Sequence, residues 1–198
     1  MGNHEIAKPQ NICVFLDRDG VLNRPVVRDG RPYPPTRAEE VELYEDVLEG
    51  CRRLKSAGFL LVVVSNQPDV GRRTQSRAAV KAIHEKVAHA IPQIDHFETC
   101  FHAGEEYGEP CACRKPKPGM LLHAAQLMEI DLGSSFMIGD RWRDIECAKA
   151  AGCRAIFIDH HYSEPIRQKP DVAVATFSEA VTAVLSCRRE TALAPTKQ

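Results

Sequence analysis

The chain has 198 residues, 43% of them hydrophobic and 27% charged, which is the balance of a globular protein with one core and excludes an intrinsically disordered chain. A formal net charge of −1 gives no global reason to expect nucleic acid or an anionic membrane as partner, so any charge that binds phosphate must be local. The longest apolar run, FLLVVV at 59–64, is far short of a membrane span, and the polar start MGNHEIAKPQ lacks the apolar stretch of a secretory signal, so a cytoplasmic protein is expected.

In chain order, NICVFL (11–16) is a short apolar run of the kind buried on both faces of a sheet, and it delivers Asp17 to a strand end. Apolar residues then recur at helical spacing from Asp46 to Ala57, closed by Gly58, and FLLVVVS follows as a second buried strand. Residues 76–90 repeat the helical pattern through Ala79, Val80, Ile83, Val87 and Ala90, before a third strand at HFETCFH. A helix over 119–128, a strand at SFMIG (135–139), a helix ending at Gly152, the strand CRAIFI and a last helix near 178–187 complete the alternation. Alternating strands and helices predict an α/β, doubly wound parallel sheet, because parallel strands need crossovers that helices supply. A single domain over 11–188 is expected, with an N-terminal extension at 1–10, a flexible tail at 189–198 and a loop over the sheet at 24–40.

Ligands of such sheets bind beyond the carboxyl ends of the strands, and Asp17, Ser65 and Asp140 fall there. The segment VFLDRDGVLN sets two carboxylates, Asp17 and Asp19, around one residue, with Gly20 permitting a sharp turn. A hard cation such as magnesium takes oxygen ligands of this kind, usually one or two carboxylates plus substrate phosphate. Cleaving a phosphate monoester needs more: a nucleophile, an acid for the leaving oxygen, and fixed positive charge.

DRDGVLN, VVVSNQ, CRKPKPGM and MIGDRWRDI resemble, in order, the four motifs of the haloacid dehalogenase superfamily of phosphatases, together spanning residues 12–145. The resemblance implies that Asp17 attacks phosphorus and that Asp19 protonates the leaving oxygen, then activates water against the aspartyl-phosphate. It implies that Ser65 hydrogen-bonds a phosphoryl oxygen and that Lys115 neutralises charge, Lys117 being the competing lysine. It also implies a magnesium site made by the Asp17 carboxylate, the Asp19 carbonyl and the Asp140 carboxylate, with Asp144 in support.

Cys100, His102, Cys111 and Cys113 form CxH, eight intervening residues, then CxC, a set of ligands that zinc prefers in closed tetrahedral sites. Four protein ligands leave no open position, so this zinc is read as structural, pinning the loop that leads into Arg114 and Lys115. The clip is similar to that of heptose bisphosphate phosphatases and of histidinol-phosphate phosphatase domains, which lack a large inserted cap. That likeness implies that Arg114 holds substrate and that Asn66 and Gln67 border the pocket. It favours a monomeric phosphatase acting on heptose 1,7-bisphosphate at C7, with histidinol phosphate as the competing substrate and a non-catalytic, zinc-stabilised binding protein as the alternative of another class. Ser65 stands where the heptose enzymes usually have Thr, and PDVGRR replaces a small loop. Arg72 and Arg73 suit a second phosphate or a solvated turn. His160 and His161 suit a substrate contact or surface packing.

Overall fold

The computed structural model describes residues 11–28 and 31–193; the expected extension at 1–10 and the tail end at 194–198 lie outside the described residues. Strand β1 (Cys13–Leu16) is followed by β2 (Val26–Arg28), β3 (Arg31–Tyr33), helix α1 (Val47–Ser56), β4 (Leu60–Asn66), the single turn α2 (Pro68–Gly71), α3 (Arg77–Ala90) and β5 (His96–Cys100). Then come α4 (Gly119–Met128), β6 (Phe136–Gly139), α5 (Trp142–Ala151), β7 (Arg154–Ile158), β8 (Val172–Val174) and α6 (Phe177–Leu193).

The main sheet has six strands in the order β5-β4-β1-β6-β7-β8, and every neighbouring pair is parallel. The chain steps from β1 outward to β5, returns to β6 beside β1, and steps outward again to β8. That reversal puts the topological switch between β1 and β6, where such sheets bind ligands. It is also where Asp17 and Asp140 emerge.

Period-two alternation divides the core. Val14 and Leu16 of β1 pack with Val47, Cys51 and Leu54 of α1 and with Val181 and Val184 of α6. Cys13 and Phe15 turn to the other face, against Met120, Leu121 and Ala124 of α4 and Ile145 and Ala148 of α5. All four β1 residues are fully buried, so a one-residue slip of this strand would exchange the two cores. Helix α3 begins at Ser76, whose Oγ accepts the Ala79 amide at 3.0 Å and caps an otherwise unpaired donor.

Three boundaries differ from the sequence reading. The 24–40 segment contains the antiparallel β2–β3 ribbon rather than loop alone, since the Val-Val pair favours extended backbone. Helix α6 continues to Leu193, past the expected limit at 188, because the ETAL segment carries good helix formers. The third strand stops at Cys100, where the chain turns into the Cys/His loop. Among the described residues, no helix is long and apolar enough to cross a membrane.

Candidate active site

Asp17 follows β1, its amide donating to the Ile138 carbonyl of β6 at 3.0 Å. Its carboxylate Oδ1 accepts the Arg18 amide at 2.7 Å and lies 2.9 Å from Lys115 Nζ. Beyond it the chain turns sharply at Gly20, which has φ +91°. A Cβ there would stand 1.8 Å from Asp140 Oδ2, so glycine is required both for the turn and for the approach of β6. Asp19 is held by four donors: Arg18 Nε at 3.1 Å and Nη2 at 2.8 Å, Asn23 Nδ2 at 3.0 Å and Gln67 Nε2 at 3.3 Å. Gln67 also donates to Ser65 Oγ at 2.8 Å, so one buried amide links Asp19 to Ser65.

Lys115 is buried, with Nζ donating to the Val64 carbonyl at 2.9 Å and paired with Asp144 Oδ1 at 2.7 Å as well as with Asp17. Burial opposes its charge, but Asp144 and Asp17 together outweigh burial and hold it above the ordinary lysine range. Asp17 moves the other way. Its pKa is raised to about 6, chiefly by burial, with Lys115 pulling it down and the Asp144 and Asp19 charges pushing it up. Asp140, immediately after β6, is pushed well above the usual carboxylate range by burial, then by Asp17 and Asp144.

Both Asp140 oxygens are buried without a hydrogen-bond partner among the described residues. Ligand atoms of Asp17, Asp140 and Asp144 lie within 4.8 Å of one another. Unsatisfied buried carboxylate oxygens in a group of mutually repelling acids are the chemistry of a cation site, and all-oxygen donors suit a hard ion. The residues fit magnesium. Asp144 sits deeper in the group than its supporting place in the sequence reading suggested: Oδ2 accepts the Arg141 amide at 3.0 Å at the start of α5, while Oδ1 faces Lys115.

Asp17, Asp19, Ser65, Lys115 and Asp144 form the floor of a cavity of about 410 Å³. Pro25, Tyr33 and Pro34, around the β2–β3 ribbon, make one wall, and Arg72, Arg114, Arg141 and Arg143 contribute positive charge elsewhere. Of the substrate-binding candidates, Arg114 and Asn66 line the cavity and Gln67 does not. The Asn66 amide is turned to the loop: Nδ2 donates to the Lys115 carbonyl and Oδ1 accepts the Lys115 amide, both at 3.0 Å. Lys117 is paired instead with Glu105 at the exposed surface. Arg72 reaches the cavity, whereas Arg73 and both histidines are not among its walls. His160 Nε2 hydrogen-bonds the Gly20 carbonyl at 2.7 Å and stacks on Tyr44, and His161 is exposed beside Asp159.

Sequence reasoning missed Arg18, Asn23, Arg141, Arg143 and Glu164. Arg18 was the hardest to find, since an arginine between two aspartates reads as a solvated charge; here it is fully buried and grips Asp19.

The four clip residues lie apart from this floor, and they fit zinc. Their ligand atoms are all within 4.8 Å of one another. Cys100 Sγ is 3.5 Å from His102 Nδ1 and 3.7 Å from Cys111 Sγ, and Cys113 Sγ is 3.3 Å from His102 Nδ1. A tetrahedron with Zn–S of about 2.3 Å and Zn–N of about 2.0 Å has edges of roughly 3.5 Å between S and N and 3.8 Å between two sulfurs. The donors are already near those edges.

The parallel sheet, its switch point and the strand-end aspartates define a HAD-type hydrolase, and the HAD-hydrolase-like family profile matches residues 112–180. The D-glycero-beta-D-manno-heptose-1,7-bisphosphate 7-phosphatase of Escherichia coli K12 is 36% identical over 147 residues, covering 70% of this chain and 74% of the relative. The Vibrio cholerae enzyme of the same name is 36% identical over 155 residues, covering 74% and 78%. A crystal structure of the D,D-heptose 1,7-bisphosphate phosphatase of B. bronchiseptica, in complex with magnesium and phosphate, superposes with a TM-score of 0.73 at 27% identity, over 88% of this chain and 98% of that one. The chain belongs to this family of HAD phosphatases, and its activity is that of a phosphoric monoester hydrolase.

Proposed function

We propose that the chain removes the C7 phosphate of D-glycero-β-D-manno-heptose 1,7-bisphosphate, using magnesium and an aspartyl-phosphate on Asp17. The observation that carries this reading is the buried Asp17–Lys115–Asp144 group with partnerless Asp140, opening into an arginine-lined cavity. The Asp17 carboxylate attacks phosphorus as the bond to the sugar oxygen breaks, and Asp19 gives that oxygen its proton. Water then attacks the phosphoryl group, Asp19 takes the proton, and the Asp17–phosphorus link breaks to release phosphate. Lys115 and Ser65 hold the phosphoryl oxygens, while Arg18, Asn23 and Gln67 fix the direction of Asp19. Magnesium would be held by the Asp17 and Asp140 carboxylates and the Asp19 carbonyl, with Asp144 behind them; bound there, it supplies charge that offsets the phosphate oxygens.

Holding the amine of histidinol phosphate would need free carboxylates on the cavity wall. Asp69 and Glu164 are the acids there above the floor, and each is paired, with Arg72 and Arg141 respectively. A bisphosphate suits the remaining positive charge better. The Cys/His clip suits a reducing compartment, the cytoplasm, where such a cysteine pattern binds metal rather than forming disulfides, and the working unit is proposed as a monomer with a structural zinc in the clip.

The test measures phosphate release from the heptose bisphosphate and from histidinol phosphate, with magnesium supplied or chelated. Magnesium-dependent preference for the bisphosphate is expected. Preference for histidinol phosphate would replace the substrate, and no turnover of either would overturn the assignment.

A further inference from the structure

The positive side chains lining the cavity are unequally neutralised. Lys115 faces two carboxylates, Arg141 is forked onto Glu164 with Nε 2.7 Å from Oε2, and Arg72 pairs with Glu106 at 3.0 Å and Asp69 at 3.6 Å. Arg114 has one long bond, at 3.4 Å, to the neutral His102 carbonyl. Among the described residues Arg143 has no acidic partner within salt-bridge distance, and its guanidinium lies 5.5 Å from the centre of the Trp142 ring.

The position of Arg143 is electrostatically unfavourable in three ways. It is the second residue of α5, at the helix end whose dipole repels cations. It is partly buried, which removes hydration from its charge. Its neighbours in the same cavity include Arg141 and Arg114, two further positive charges. A cation kept there without an ion pair among the described residues is relieved by an anion entering the cavity, and a guanidinium matches phosphate in a forked geometry.

We propose that Arg143 is a specificity-determining residue that binds a second phosphate of the substrate, away from the phosphoryl group facing Asp17. The inference rests on the phosphatase reading above and names the residue that selects doubly phosphorylated sugars. Arg114, across the same cavity, assists.

The experiment compares kcat/KM for heptose 1,7-bisphosphate and heptose 7-phosphate in the full-length magnesium-loaded protein, in the wild type, Arg143→Gln and Arg143→Lys. The ratio of the two values cancels any shared loss from misfolding. Removing one charged hydrogen-bonding partner should reduce that ratio by about 10- to 100-fold in Arg143→Gln, with part of it recovered in Arg143→Lys. A ratio unchanged in Arg143→Gln would overturn the subsite while leaving the phosphatase reading in place. A wild type that hydrolyses neither compound would overturn that reading, and this inference with it.

Discussion

The acidic floor and the Cys/His clip are both sets of side chains that could hold a metal ion, and they are built in opposite ways. Asp17 and Asp140 are carried by the ends of buried parallel strands, and Asp17 lines a cavity. The clip takes Cys100 from the end of β5 and its other donors from a connection with almost no regular structure. Rigid strands carry the first set, an arrangement in which an ion and a substrate could enter and leave. The second set sits on a loop tied locally, by the Ala103 amide on Glu109 and the Gly119 amide on the Ala112 carbonyl, and a zinc held in a closed tetrahedron would serve as a core there. The two regions meet at Lys115, two residues beyond Cys113, whose backbone is tied to β4 by the paired Asn66 bonds.

The sharpest way to break this comparison is Asp17→Asn. If the floor is prebuilt chemistry, turnover falls by at least about 10³-fold while the melting temperature stays within a few degrees, because Lys115 retains Asp144. A large loss of stability instead would make the floor structural. Cys113→Ser tests the other region. Zinc content measured by mass spectrometry should fall from about one per chain to none, and Tm should drop by about 5–10 °C. Activity should fall by about 10- to 100-fold through the loosened Lys115, and chelating magnesium alone should leave Tm almost unchanged. Asn66→Ala isolates the tie between them. It removes two hydrogen bonds to the Lys115 backbone but no ligand, so kcat should fall by about 10-fold with zinc retained. An unchanged kcat would mean that the clip alone positions Lys115.

How much of this was legible in the sequence follows the same division. Short apolar runs buried on both faces and helices closed by glycine are local patterns, so the α/β sheet and the residues at its strand ends could be read directly. The CxH and CxC pairs declare themselves because thiols and imidazole at that spacing have few other uses. What could not be read depends on contacts distant in sequence. Glu164 meets Arg141 across 23 residues, and Asn66 meets Lys115 across 49. Arg18 looked solvated because nothing local shows that its side chain tucks beneath Asp19. Val26 and Val27 sat among prolines and charges, which hid a ribbon only two paired strands wide.

The smallest expected effect touches neither metal region and so serves as a baseline for both. His84 of α3 stacks on Phe97, with ring centroids 4.9 Å apart, and its Nε2 is buried without a partner among the described residues. Burial first, and then Arg18, lowers its pKa from 6.5 to about 4, against a small opposing pull from Asp19. The unfolded chain therefore takes up a proton near pH 6.5 that the folded chain refuses until about pH 4. Stability contributed by this residue is intact above pH 6.5, declines as pH falls through that window, and levels off below it. The full shift, discounted for partial exposure, corresponds to about 1–2 kcal/mol. His84→Leu should therefore lie within about 1 kcal/mol of the wild type in urea unfolding at pH 7.5 and gain on it by that amount at pH 4.5. Parallel pH profiles for the two proteins would mean that His84 accepts its proton in the fold, and that the acid sensitivity of the chain belongs to the carboxylate floor.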